Sequence, residues 1–395
     1  MHKNRMDIRL SEDQQMMRDL VRDFARGEIA PRAHQLDLDA TTPMDLLRQM
    51  QELGLMGMCI PEEYGGTGND YISYILAIEE ISRVSAGVAI AMSVHNSVGC
   101  WPIVKFGTDA QKRTYLPQLA TEKFGAFCLT EPNAGSDAGG IQTTAVRRGD
   151  HYILNGAKVF VSNGPFADFL IVNTKTNPSL GNRGMTAFIV EKSFPGISVG
   201  TIDQKMGIKA DESSEIIFSD CAVPAENRLS DEGMGFKIAM TCLDGGRIGV
   251  GAQALGIQEA ALGEAVRYAG ERRQFGRSIG DFQAIQCLLA EMAQRTRASR
   301  MLVYHAAWLR QNGLPHTREA SMAKLYASES ATAVTHRAVQ IFGGYGYIKD
   351  YPVERYYRDA RVTEMYEGTS EIQRLVIASQ LLAEASRPAR ETVSS

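Results

Sequence analysis

One acid near the end of the chain is placed to do chemistry. In Arg361-Val-Thr-Glu-Met-Tyr-Glu-Gly-Thr-Ser-Glu-Ile-Gln-Arg374, Glu367 sits on a Tyr-Glu-Gly turn just ahead of a helix start. Ser370 and Gln373 have the spacing of a capping box, and Ile372, Leu375, Val376 and Ser379 continue at helical spacing. A carboxylate held there by a glycine and a rigid helix can abstract a proton, and nearby positive helix-end charge favours its ionised form. An acid in this position also serves, more commonly, only to complement the helix dipole.

Three further segments carry chemistry. Phe127-Cys-Leu-Thr-Glu-Pro-Asn-Ala-Gly-Ser-Asp137 joins a β run to a loop of small residues, which lets backbone amides and hydroxyls approach a planar ring or a phosphate. In Glu271-Arg-Arg-Gln-Phe-Gly276, Arg272 can pair with a pyrophosphate through its planar fork, and Phe275 offers an apolar wall. In Leu243-Asp-Gly-Gly-Arg247, Arg247 can bond polar parts of a ligand. Each has an ordinary counterpart: a turn, a paired surface arginine, a solvated helix arginine.

Other signals lead nowhere. Gly249-Val-Gly-Ala-Gln-Ala254 fits the dinucleotide-binding pattern, but no strand follows its helix, so it reads as a small-residue helix face. The seven histidines lack ligand spacing, which predicts no metal site. No Gly-x-Ser-x-Gly elbow supports serine hydrolysis.

The elements that must position these residues fall into three blocks. Residues 1–122 read as an N-terminal helical domain, 123–235 as a compact β domain or barrel, and 236–395 as a C-terminal helical bundle, an α+β chain. In the first block Leu20, Phe24 and Ile29 form an apolar face that should stop at Pro31. Helices are predicted from Met44 and over Tyr71 to Ser82, with later boundaries at Trp101-Pro and Phe106-Gly. The β runs are Phe124–Leu129, Ile141–Val146, His151–Leu154, Phe169–Asn173, Thr186–Val190 and Glu215–Phe218. Gly149-Asp150 and Asn155-Gly156 are read as hairpin turns. Phe282, Ile285, Leu289 and Met292, then Leu302, His305 and Leu309, repeat at helical spacing. The tail after Ala385 is expected to fray.

Bulk properties narrow the class. A 395-residue chain exceeds one typical core. Hydrophobic content of 44% with 22% charged residues is ordinary for a globular protein. A net charge of −4 gives no general footprint for nucleic acid. The six cysteines are far apart, without Cys-x-x-Cys, and suit buried thiols in a reducing compartment. The N-terminus lacks the apolar run of a signal peptide, and no segment approaches ~18 uninterrupted apolar residues, so no membrane span is expected.

From near Leu10-Ser-Glu-Asp-Gln-Gln15 to past Leu381, these motifs occur in an order that resembles the FAD-dependent acyl-CoA dehydrogenase family, most of all its short-chain and short-branched-chain members. The resemblance implies α,β-dehydrogenation of an acyl-CoA to the trans-2-enoyl-CoA, with Glu367 removing the α-proton while a hydride leaves the β-carbon for the flavin. It implies flavin contacts from Phe127, Cys128, Leu129, Thr130 and Ser136, and from Phe160, Val161 and Ser162 within Ala157-Lys-Val-Phe-Val-Ser-Asn163. Relatives usually carry Trp-Ile-Thr where Phe160-Val-Ser162 stands, so the hydroxyl is kept and the indole lost. Flavin contacts are further implied for Arg272, Phe275, Gln283, the run Gln340, Ile341, Phe342, Gly343 and Gly344, and Thr369, Ser370 and Glu371. In relatives Gln283 and the 340–344 run come from a neighbouring subunit.

Substrate contacts are implied for Ser136, Asp244, Gly245, Gly246, Arg247 and Gly368. Isovaleryl- and long-chain-type relatives carry their glutamate immediately before this arginine. Gly246 stands there and cannot act as a base, in keeping with Glu367. The family further implies a homotetramer (a dimer of dimers), an electron-transfer flavoprotein as acceptor, and a bacterial cytoplasm or mitochondrial matrix. A branched substrate stays open: Glu271–Gly276 and Lys349-Asp-Tyr-Pro-Val-Glu354 resemble 2-methylbutyryl- and isobutyryl-CoA enzymes. A non-dehydrogenase flavin module of the same fold should lack the base or carry a basic extension. A flavin oxidase is a third option.

Overall fold

The computed structural model describes residues 9–386; the expectations for the extreme N-terminus and for the tail beyond Ser386 lie outside them. The first helix, α1 (Glu12–Phe24), opens with a capping box in which Ser11 and Gln14 satisfy each other's backbone N–H groups. It does not end at Pro31. The chain continues through a π-helical turn (Ala25–Ile29) and a 3₁₀ turn (Ala30–Arg32) into α2 (Ala33–Asp39). Pro31 falls at the start of a turn, where its missing N–H costs nothing. Val21, rather than the exposed Leu20, carries the buried face with Ile29.

Next come α3 (Met44–Glu52), α4 (Tyr71–Ser82), α5 (Ala86–Val94), α6 (Trp101–Phe106) and α7 (Asp109–Thr121). The predicted span of α4 is met at both ends, with Asp70 capping Ser73 N–H. Trp101-Pro marks the start of α6 without breaking the helical path: a π-helical stretch, His95–Cys100, links α5 to α6, and Pro102 sits in the first turn of α6. The resulting run Ala86–Phe106 is long and apolar enough to cross a membrane by length and composition, but 83% of its apolar window is buried against the rest of the protein. It is a core helix.

The middle region is an eight-stranded sheet: β1 (Gly125–Cys128), β2 (Thr144–Arg148), β3 (His151–Ser162), β4 (Phe169–Lys175), β5 (Met185–Glu191), β6 (Ile197–Ile202), β7 (Ser213–Pro224) and β8 (Arg228–Leu229). Its order is β6-β7-β3-β2-β4-β5-β8, with β1 parallel to β4. Only Thr144 and Lys175 join β2 to β4, so the sheet curls into two halves around a core that includes Tyr152, Leu170, Phe188 and Val190. Gly149-Asp150 is the β2–β3 hairpin turn. Asn155-Gly156 is not a turn. It lies inside β3 as a bulge, where Gly156, with φ 145°, passes Thr143 too closely for a side chain. Neither β6 nor β8 was anticipated: β6 is a largely exposed edge strand and β8 only two residues long.

A long helix, α8 (Gly235–Glu271), begins the C-terminal region, followed by α9 (Gln283–Gln311), α10 (Thr317–Phe342), α11 (Val353–Val362) and α12 (Ser370–Ala385). Two short strands, β9 (Arg273–Gln274) and β10 (Arg277–Ser278), form a hairpin between α8 and α9. The 249–254 glycine–alanine run is a buried face of α8, as its composition requires. Gly249 touches Ser93 and Ile78, and Gly251 faces Val303 and Ala323. At Gly256 a Cβ would overlap the Glu79 carbonyl. Small side chains thus let α4, α9 and α10 approach α8, and one core unites the helices of both ends of the chain. The thiols are free; Cys287 is exposed and Cys59 half-buried, contrary to the expectation of burial.

Candidate active site

Glu367 follows α11 on a turn in which two consecutive residues are left-handed: φ is 56° at Glu367 and 93° at Gly368. A left-handed non-glycine residue costs about 1–2 kcal/mol, so surrounding contacts must hold the turn. They come from two buried side chains. Gln373 Nε2 donates to the carbonyls of Glu367 (3.0 Å) and Gly368 (2.9 Å), and Lys324 Nζ of α10 donates to Gly368 O at 2.8 Å. The cap of α12 is therefore Thr369, whose hydroxyl accepts from Ile372 N–H, and not Ser370. Gln373 is better placed inward because the two strained carbonyls need a donor. Neither holder is legible from local pattern: Gln373 imitates a capping residue, and Lys324 lies mid-helix.

A cleft of about 200 Å³ opens between this turn and the sheet. The sheet and its adjoining loop give a first wall with Phe127, Leu129, Thr130, Ser136, Phe160 and Ser162; the helical region contributes Leu243, Arg247, Tyr366, Glu367, Gly368 and Ile372 to the lining. Val94 and Val98 of the linked helices, which sequence reasoning missed, also line it. The Glu131–Lys158 pair sets the loop beneath the first wall. Lys158, fully buried, bonds Glu131 at 2.7 Å and Leu129 O at 3.1 Å, and Glu131 accepts from Gln142 and Thr143 N–H. Phe160 is left-handed (φ 57°) and 69% exposed, which turns its ring outward from β3 onto the cleft. Ser162 Oγ donates to buried Asp211 at 3.0 Å. Cys128 and Val161 are buried in the sheet core and do not line the cleft.

Electrostatics favour a poised base. Burial raises the Glu367 carboxyl to about 7, with Arg247 and Lys324 opposing the rise. Glu367 Oε2 is out of solvent contact and has no hydrogen-bond partner among the described residues. Arg247 is paired with Asp244 at 2.6 Å and has an unpartnered Nε. Gly246 packs against the carboxylate so closely that a Cβ there would overlap it. Gly245 is equally confined, by Arg310.

The remaining predicted residues gather elsewhere. Arg272, Ile341, Phe342, Gly343 and Gly344 line a second cavity of about 440 Å³ with Tyr268 and Tyr345, apart from the Glu367 cleft. Arg272 lies over the Tyr345 ring at 5.4 Å and makes no ion pair among the described residues. Phe275 is 93% exposed at φ 52°, an apolar side chain offered to solvent and not a wall within this chain. Gln283 and Gln340 are exposed, as is Glu371, while Ser370 is buried.

The residues of the first wall suit a flat ring with polar edges: apolar faces from Phe127, Leu129 and Phe160, hydroxyls from Thr130 and Ser162, and an open mouth. A helical–β–helical chain with a half-buried acid lining such a cleft is the architecture of flavin-dependent dehydrogenases of acyl thioesters. Models of the N-terminal, middle and C-terminal domains of acyl-CoA dehydrogenases match residues 11–123, 126–221 and 233–382. The short-chain specific acyl-CoA dehydrogenase of Clostridium acetobutylicum is 49% identical over 377 residues, covering 95% of this chain and 100% of the relative. Butyryl-CoA dehydrogenase from Megasphaera elsdenii superposes with a TM-score of 0.94 at 49% identity, over 95% of this chain and 100% of that one. Acyl-CoA dehydrogenase complexed with FAD from Bacillus anthracis gives 0.90 at 38% identity, over 95% and 68%. The chain belongs to the acyl-CoA dehydrogenase family, oxidoreductases acting on a CH–CH bond.

Proposed function

We propose that this protein oxidises a short-chain acyl-CoA to its trans-2-enoyl-CoA with FAD as cofactor, and that Glu367 is the base. The observation that carries this reading is the Glu367 carboxylate, half-buried with Oε2 out of solvent contact and unpartnered among the described residues, lining the same cleft as the flat-ring wall. Phe127 to Thr130, Phe160 and Ser162 would hold the flavin ring, which when bound supplies the acceptor for the β-hydride. Glu367 takes the α-proton; only a carboxylate on the opposite side of a thin substrate can align both breaking bonds with the forming double bond. The Glu367 N–H donates to no acceptor among the described residues and is available to the thioester oxygen, where negative charge develops. Gly368 and Gly246 leave room beside it, and Arg247 and Ser136 are assigned to polar parts of the CoA arm.

Short-chain preference follows the 49%-identical relatives; a branched short acyl group is the alternative. An anaerobic titration with straight and branched acyl-CoAs tests it: butyryl-CoA should bleach the flavin absorbance most completely. Stronger bleaching by 2-methylbutyryl- or isobutyryl-CoA would transfer the assignment to the branched class.

The second cavity, with Arg272 and the 341–344 run, is assigned to the pyrophosphate end of FAD, completed by another copy of the chain. That this cavity shares no lining residue with the Glu367 cleft, and the exposure of Phe275, support an oligomer, which we read from the family as a homotetramer. Arg272→Ala is expected to weaken FAD retention at least tenfold, read by flavin released on dilution, because a charge-assisted fork contact is lost. Unchanged affinity would remove Arg272 from this role. Reduced enzyme is proposed to pass its electrons to an electron-transfer flavoprotein; faster reoxidation by oxygen than by that acceptor would indicate an oxidase.

A further inference from the structure

The charges around the turn are paired in a way that leaves two of them over. Within reach of Lys324 lie Glu364, Glu329, Arg247 and Glu367. Glu364 is bonded to Arg361 at 2.6 Å, Glu329 to Arg374 at 2.6 Å, and Arg247 to Asp244 at 2.6 Å. Among the described residues Lys324 and Glu367 alone of this group make no ion pair. Lys324 is fully buried, on α10, and its one hydrogen bond runs to the carbonyl of the residue after the base.

We infer that Lys324 is a positioning residue for the base: its ammonium pins the Gly368 carbonyl, fixing the left-handed turn, and supplies the positive charge that keeps Glu367 ionised. The inference rests on Glu367 being the base, and adds a second residue to that reading. A neutral donor would satisfy the Gly368 carbonyl without the desolvation that a buried ammonium suffers. Gln373 already supplies such a donor to the same oxygen. The cation is therefore accounted for by the carboxylate, whose charge must persist when substrate excludes water. Lys324 is itself lowered by burial to about 8, so it is still charged where Glu367 titrates. The other groups facing Glu367 are Arg247 from α8, already engaged by Asp244; Tyr366, bonded to Gln253; and Tyr71 of α4 and Cys242 of α8, both held neutral by burial.

Two variants separate the clamp from the charge. Lys324→Gln keeps a donor and removes the cation. Its kcat/KM should match the parent within about threefold at high pH, with an acid limb displaced upward by about one unit, a tenfold loss well below the midpoint. Lys324→Met should show the same displacement and, without the clamp, a plateau at least tenfold lower. Infrared difference titration of each background against Glu367→Gln gives the carboxyl midpoint independently of turnover, and it too should rise. A purely structural lysine would change stability or the plateau and leave both midpoints in place; that outcome overturns the charge assignment. A Lys324→Met plateau equal to the parent's overturns the clamp. If Lys324→Met does not fold, Lys324→Gln and the infrared midpoint still decide. Failure of the base reading is distinguishable, because Glu367→Gln itself would then turn over normally.

Discussion

Glu367→Gln is expected to give a folded, FAD-loaded yellow protein whose turnover is at least 10²–10⁴-fold below the parent's, the contribution of a positioned general base. The amide is nearly isosteric with the acid, so the turn, the Gln373 and Lys324 bonds to the main chain, and the cleft should survive. Only the proton acceptor is lost. Stopped-flow reduction by butyryl-CoA measures it directly, and near-parental reduction would remove Glu367 from the chemistry. The parent's own pH profile belongs to the same prediction. With the carboxyl raised to about 7, the base is ionised only above that value, so kcat/KM should fall with decreasing pH through about 7 rather than near 4.5. The same shift has a stability sign. A carboxyl whose folded value lies above its unfolded one binds more protons folded than unfolded. It therefore favours folding in acid and loses that contribution as pH rises from about 4.5 through about 7.

The second large effect concerns stability. Arg300 of α9 bonds both Glu79 of α4 and Glu259 of α8, and Tyr304 Oη donates to Glu79 at 2.7 Å. The Glu79 side chain is only 2% exposed, and burial holds its carboxyl above its usual range despite the guanidinium beside it. Arg300→Met keeps most of the packing and leaves buried Glu79 without its guanidinium, while Glu259 keeps Arg83 at 3.1 Å. The expected loss is about 3 kcal/mol, typical of a broken buried pair. Glu79 can escape by taking up a proton, so the loss should be smaller at pH 5 than at pH 8. Thermal unfolding of parent and variant at both values tests this. A variant as stable as the parent at pH 8 would mean that the three-helix charge cluster contributes nothing net. No such cluster was legible in the sequence, because Glu79, Glu259 and Arg300 belong to helices far apart along the chain.

The two left-handed residues at the catalytic turn illustrate how far sequence reading reaches. Tyr366-Glu-Gly368 announced a turn, since glycine tolerates the φ of 93° found there. It could not announce that Glu367 is left-handed as well, because that strain persists only under the Gln373 and Lys324 bonds, made by residues outside the turn. Asn155-Gly156 misled for a related reason. The dipeptide is a hairpin signal in isolation, yet continued pairing with β7 on both sides holds it as a bulge. At Pro31 and Trp101-Pro, π and 3₁₀ turns absorbed the proline that should have ended a helix.

Local patterning by itself determined the helical–β–helical order, the span of α4 and the small-residue face of α8, while the choice of Glu367 as base came from the resemblance to the family. The patterned features depend on periodicity, caps and turn chemistry, which act over a few residues. Tertiary structure alone decided that Gly246 and Glu367 touch, that Val94 and Val98 line the cleft, that Phe160 turns outward, and that Arg272 lies in a separate cavity. Those outcomes depend on burial and on charges brought together from distant segments, and no spacing along one chain encodes which buried charges will find partners and which will be left over.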